Sequence, residues 1–106
     1  MSLWYETTAV HFWHFYLRYS NADPERFSTS SRLNWLACDR AIKQFSDDEK
    51  EMLRHYYSTN YGNYEDQTAI HYLAYQNAIA QADIYRLIKK ANYEVMVQRG
   101  LMDRKE

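Results

Sequence analysis

The sequence predicts an all-α fold, one domain of about five helices. Two glycines and one proline in 106 residues leave few of the turns that a sheet requires. Apolar residues make up 46% of the chain, which suits a single core, and 17% of the residues are aromatic. Apolar side chains also recur every three to four residues in successive stretches, which is the period of a helix.

The first helix is predicted over about residues 3–19. Its apolar stripe consists of Phe12, Phe15, Tyr16 and Tyr19. Trp13 is expected on the flank of that stripe. Because this segment is apolar on nearly all sides, we expect it either to be deeply buried or to form half of a dimer contact.

The second and third helices are separated by a strong helix-start signal. The loop SNADPERFSTSS precedes a helix that is predicted from Ser31 to Gln44 or Phe45. Ser46 followed three residues later by Glu49 then forms a capping box, so a third helix should begin at Ser46. Acidic residues in its first turn favour the positive end of the helix dipole.

Two further helices are predicted in the C-terminal half. After the loop STNYGNYED, a fourth helix is expected over about residues 66–76 and a fifth over about residues 81–98. The fifth should end at Gly100, which can take a left-handed conformation while Leu101 folds back in a Schellman motif.

The stretch LAYQNAIAQADIYRLIKKA, residues 73–91, has the spacing of a helix-turn-helix. A small residue, Ala74, stands where the two helices would cross, and Ala78 stands in the cramped turn. Apolar residues at Ile79, Ile84 and Leu87 would fill the wedge between the helices. An ordinary helical hairpin has similar spacings, and Ala78 replaces the glycine that such a turn usually has.

The segments FSDDEKEMLRHYY and TAIHYLAYQNAIAQADIYRLIKKANYEVMVQRGLM together resemble the C-terminal DNA-binding region of bacterial sigma factors. They are still more similar to small phage-encoded transcription regulators of the ArpU and RinA type. This resemblance divides the single domain into an aromatic helical part, residues 1–45, and a sigma-like part, residues 46–102. It implies a DNA-binding transcription regulator.

If the fifth helix reads DNA, one of its faces should carry the contacts. The candidate DNA-binding residues are Gln81, Ala82, Tyr85, Arg86, Lys89 and Lys90. Gln and Arg side chains pair with base edges in the major groove, and an alanine methyl can contact thymine. Lysines suit phosphates. The alternative is that these residues form an ordinary solvated face. Asp83, near the start of this helix, is expected to complement the helix dipole rather than to read a base.

The charge distribution limits the strength of such an interface. The formal net charge is −1, although residues 67–106 hold six basic and four acidic side chains. This surplus of two positive charges is small compared with the roughly six to ten phosphate contacts that a strong DNA-binding protein makes. A homodimer formed through the aromatic first helix would double the contacts, and docking beside RNA polymerase would add to them.

Other chemistry has little support in the sequence. No nucleophile triad, phosphate-binding glycine loop or paired carboxylates are recognisable, so neither an enzyme nor a cofactor is expected. His11 and His14 lack spaced partners for a metal. Cys38 lies on an apolar stripe and reads as a small core residue. No signal peptide or membrane span is recognisable, which favours a soluble cytoplasmic protein.

A second function class remains open for the aromatic first helix. Its aromatic residues exceed what one short helix needs for packing, and contact surfaces are enriched in such side chains. They are Trp4, Tyr5, Phe12, Trp13, Phe15, Tyr16 and Tyr19. The chain could therefore be a non-catalytic protein-interaction module, for example in phage assembly or packaging. Simple filling of the core explains the same residues equally well.

Overall fold

A computed structural model describes residues 4–59 and 66–104 of the chain. Within these residues the fold consists of five α-helices and one short 3-10 helix, without a strand, so the all-α prediction is confirmed. The helices are α1 (Glu6–Arg18), α2 (Thr29–Ile42), α3 (Asp47–Thr59), α4 (Asp66–Asn77) and α5 (Gln81–Gln98). The predicted start of the first helix at residue 3 and most of the predicted STNYGNYED loop lie outside the described residues.

Local capping signals placed the helix ends well. The Ser46 backbone N–H donates to Glu49 Oε1 at 2.9 Å, and the Glu49 N–H donates to Ser46 Oγ at 3.2 Å, so the predicted capping box forms. Helix α2 begins two residues earlier than predicted because Ser28 is its cap, accepting from the Ser31 N–H at 3.3 Å. It ends at Ile42, before the predicted end at Gln44 or Phe45. The boundaries of α5 agree with the prediction.

The predicted Schellman stop at the end of α5 also forms. Gly100 has a φ of +81°. Its N–H donates to Val97 O at 3.0 Å, and the Leu101 N–H donates to Met96 O at 3.0 Å. These bonds satisfy two carbonyls that the helix would otherwise leave exposed at its end.

Helix α5 contacts each of the other four helices and is the centre of the fold. Trp13 of α1, expected on the flank of its stripe, is instead fully buried. Its ring stacks on Tyr57 of α3 at a centroid distance of 5.5 Å, and its Nε1 donates to Ala91 O of α5 at 3.3 Å. The prediction was wrong because α1 is apolar on nearly all sides, so only packing against α3 and α5 selects its inner face. Tyr19, expected on the stripe, is exposed.

Polar groups of the buried aromatic residues find partners inside the core. The Tyr57 hydroxyl donates to Oδ1 of the buried Asn92 on α5, and the Tyr16 hydroxyl donates to Asp39 Oδ1 at 2.9 Å. The pKa of Tyr16 is raised mainly by burial, and the hydrogen bond to Asp39 adds to this effect. Cys38 is buried as predicted, and desolvation raises the pKa of its thiol.

Candidate nucleic-acid interface

The turn between α4 and α5 is short, and it contains a residue with a left-handed backbone. Three residues separate Asn77 from Gln81, and Ala78 has a φ of +54°. The Ala78 N–H donates to Tyr75 O at 3.3 Å, and the Ile79 N–H donates to Ala74 O at 3.1 Å. Helix α4 therefore ends in the same hydrogen-bond pattern as α5, but with alanine in place of glycine at the left-handed position.

The wedge between α4 and α5 forms only in part as predicted. Ala74 of α4 and the α5 residues Ile84 and Leu87 are buried, as expected of residues between crossing helices. Ile79, expected to plug the space between the helices, is 37% exposed. Its backbone follows the left-handed Ala78 and is tied to Ala74, which leaves the side chain at the edge of the helix pair.

All six residues proposed to contact DNA lie on the exposed side of α5. They are Gln81, Ala82, Tyr85, Arg86, Lys89 and Lys90. The opposite side of the same helix is buried through Ile84, Leu87 and Ile88. The N-terminal half of α5 thus presents base-reading and phosphate-binding side chain types to solvent on a helix that follows a tight turn.

Each of the three cations on this face has a partner within the protein. Arg86 forms an ion pair with Asp83, three residues earlier on the same helix. Lys89 Nζ lies 3.6 Å from Glu6 Oε1 of α1, and Lys90 Nζ lies 5.4 Å from the centre of the Phe45 ring. Asp83 was expected only to complement the helix dipole. It does lie in the first turn of α5, and it also holds Arg86.

These partners do not bury the cations. The Arg86 side chain is 74% exposed and the Lys89 side chain 55% exposed. Surface ion pairs contribute about 0–1 kcal/mol, so a DNA phosphate could replace a carboxylate at such a site. The face is accessible to an anion, but its positive charge is reduced by the neighbouring acidic groups.

Helix α4 contributes exposed tyrosines that the sequence reasoning missed. Tyr75 is 85% exposed and Tyr72 is 49% exposed, with the His55 ring of α3 stacked on Tyr72 at 5.0 Å. The available signal was their position three residues apart and off the stripe formed by Ile70 and Leu73. Residues 67–82 also contain no Asp, Glu, Lys or Arg, so this stretch of the chain adds no such charged side chain beside the α5 face.

A polar contact connects the two helices at this surface. Gln81 Nε2 lies 3.1 Å from Nδ1 of His71. Nδ1 accepts a hydrogen bond from Gln81 in the tautomer that leaves this nitrogen unprotonated. Asn77 Nδ2 donates to Leu73 O at 2.9 Å and so closes the last turn of α4. These contacts help to fix the start of α5 relative to α4.

Metal ligands, membrane-spanning helices and clefts are the other features of the described residues that bear on function. Within residues 4–59 and 66–104, no cluster of His, Cys, Asp or Glu has the arrangement of a metal site. None of the helices in those ranges has the length and apolar character needed to cross a bilayer. A cleft of about 430 Å³ is lined by residues of α1 and α3 and by Tyr19.

Comparisons of the chain with protein-family models, curated proteins and solved structures find no match.

Proposed function

We propose that this protein is a non-catalytic, DNA-binding transcription regulator of the phage type that its C-terminal part resembles, acting in the cytoplasm. The observation that carries the proposal is the combination of the tight turn at Ala78 with the polarity of α5. One side of that helix is buried through Ile84 and Leu87, while the opposite side exposes all six candidate contact residues. A helix presented in this way after a short turn has the form that enters a major groove.

The roles of the exposed side chains follow from their chemistry. Gln81 and Arg86 lie near the start of α5 and are assigned to base edges, because their side chains can form paired hydrogen bonds with adenine and guanine. Ala82 is assigned to a thymine methyl group. Tyr85 is assigned a hydrogen bond from its hydroxyl to the DNA backbone, and Lys89 and Lys90 are assigned to phosphates.

One copy of the domain would bind duplex DNA weakly. The net charge is −1, and the α5 cations must exchange their internal partners for phosphates. Two copies, joined through the aromatic N-terminal region, would double the number of phosphate contacts. Trp4, 75% exposed beside α1, is available for such a contact. RNA polymerase is the second proposed partner.

The proposal is tested by comparing two arginines that each form an ion pair with an acidic residue three positions earlier on the same helix. Arg86 pairs with Asp83 on α5 and is 74% exposed, and Arg54 pairs with Glu51 on α3 and is 49% exposed. Binding of a labelled random duplex and of a selected site is measured by anisotropy at about 50 and 200 mM salt. Arg86→Ala should reduce discrimination at one base position by about 1–3 kcal/mol, while Arg54→Ala should leave it unchanged.

A phosphate contact has a different signature in the same experiment. Lys90→Ala should weaken binding to all sequences alike and reduce the salt slope by about one unit. Equal effects of Arg86→Ala and Arg54→Ala, or no duplex binding at low salt, would contradict the proposed function.

The second candidate function is a protein-interaction module, for example in phage assembly. It is favoured by the aromatic surface, since Trp4, Tyr72 and Tyr75 are exposed side chains of a type enriched in protein interfaces. A stable complex with a protein partner that persists at high salt, together with no DNA affinity, would favour this function over the first.

A further inference from the structure

The ion pair between Glu6 and Lys89 connects the N-terminal helix to the candidate DNA face. Glu6 lies in the first turn of α1, and Lys89 lies in the middle of α5. Their charged atoms are 3.6 Å apart. The Glu6 side chain is only 19% exposed, compared with 55% for Lys89. The contact therefore joins a partly buried carboxylate to a cation at the surface.

Two buried tyrosines lie close enough to Glu6 to respond to its charge. Tyr5 beside it is buried, as is Tyr57 of α3. Burial raises the pKa of Tyr5 and of Tyr57, and the Glu6 carboxylate adds to both effects. Because the Glu6 side chain is mostly removed from solvent, its attraction to an ammonium group is less screened than that of a carboxylate on an open helix face.

We infer that Glu6 competes with DNA phosphate for Lys89, so that the first turn of α1 restrains DNA binding by α5. This inference rests on the proposed function and adds a regulatory contact to it. A phosphate that takes Lys89 must displace the Glu6 carboxylate. That carboxylate remains close to Lys89 and repels the DNA polyanion, which opposes binding a second time.

Two consequences for DNA binding follow, and the first is a difference between Lys89 and its neighbour Lys90. Lys90 lies over the Phe45 ring. The hydrogen bond from Arg104 lowers the pKa of Glu94 and the charge of Lys90 adds to this effect, but that carboxylate forms its ion pair with Arg104 and does not hold Lys90. Loss of Lys90 should therefore weaken DNA binding more than loss of Lys89. A movement of the first turn of α1 away from α5, or neutralisation of Glu6, should strengthen binding by freeing Lys89.

The test compares Glu6→Gln with Glu51→Gln. Both changes remove one negative charge from a carboxylate in an ion pair, but Glu51 pairs with Arg54 on α3. Binding of a labelled random duplex of about 20 base pairs is measured by anisotropy between about 50 and 200 mM salt. Glu6→Gln should tighten binding about three- to fivefold more than Glu51→Gln does. It should also steepen the salt slope by about one unit.

Two further variants connect the effect to Lys89 and remove the change in net charge. In a Lys89→Ala background, Glu6→Gln should have no larger effect than Glu51→Gln. Glu6→Asp keeps the charge but shortens the side chain by one methylene, so it should tighten binding in the same direction as Glu6→Gln. It also provides the measurement if Glu6→Gln proves unstable in thermal unfolding followed by circular dichroism.

The outcomes separate this inference from the proposed function. If the wild-type protein binds the duplex but Glu6→Gln and Glu51→Gln have equal effects, the inference is overturned and the DNA-binding function stands. An equal gain from Glu6→Gln with or without Lys89 overturns it as well. If none of the variants binds duplex DNA at low salt, the proposed function itself fails.

Discussion

The tyrosines of α1 and α3 differ in their surroundings from those of α4 and of the first half of α5. Tyr16 and Tyr57 are buried with their hydroxyls bonded inside the protein, whereas Tyr72, Tyr75 and Tyr85 are exposed. Tyrosine has a large apolar ring and a polar hydroxyl, so it serves equally well in a core or at a contact surface. The difference indicates that the first group holds the fold together and that the second is available to a partner.

The two regions should differ most in the loss of stability that follows removal of a whole aromatic side chain. Trp13→Ala should destabilise the protein by about 3–5 kcal/mol, because it leaves a cavity between α1, α3 and α5. The matched change on the exposed surface, Tyr75→Ala, should stay within about 0.5 kcal/mol. Urea unfolding followed by circular dichroism measures both. Similar losses from the two changes would show that Tyr75 also packs in a structural contact.

Removal of a single tyrosine hydroxyl should produce a smaller difference in the free energy of unfolding between the two regions. Tyr57→Phe deletes the donor to Asn92 in the core and should cost about 1–3 kcal/mol, because the buried amide oxygen loses its partner. Tyr85→Phe, on the exposed face of α5, should leave stability nearly unchanged. The free energies of unfolding of both variants decide this point. A neutral Tyr57→Phe would show that the core bond contributes no net stability.

The smallest predicted effects concern the two helix stops, which have the same hydrogen bonds but different residues. Ala78→Gly should stabilise the protein by less than about 1 kcal/mol, because alanine is strained at positive φ while glycine loses more entropy on folding. Gly100→Ala should destabilise it by about 1 kcal/mol. A β-carbon at Gly100 meets no atom within 4 Å, so that cost is conformational. Thermal unfolding of the two variants should give shifts of opposite sign, and shifts of the same sign would contradict this reading of the turns.

Part of the candidate site could be predicted from the sequence alone. The exposure of all six proposed contact residues on α5 follows from the helical period, because the apolar residues Ile84 and Leu87 define which side must be buried. It did not predict the partners of the cations on that face. Glu6 and Lys89 lie at opposite ends of the chain, and no local pattern connects them. Nor did it predict the exposed tyrosines of α4, a helix whose two sides differ little in apolar character.

Local signals determined the helix ends. The capping box at Ser46 and the glycine stop at Gly100 involve atoms a few residues apart, so their geometry is already present in the order of side chains. The tertiary structure decided which side of α1 faces inward, because an almost entirely apolar helix offers several sides of similar hydrophobicity. Trp13 became the inner residue through its contacts with Tyr57 and with the carbonyl of Ala91, 78 residues away. Such a choice depends on the shapes of three helices packed together, which no single segment of sequence contains.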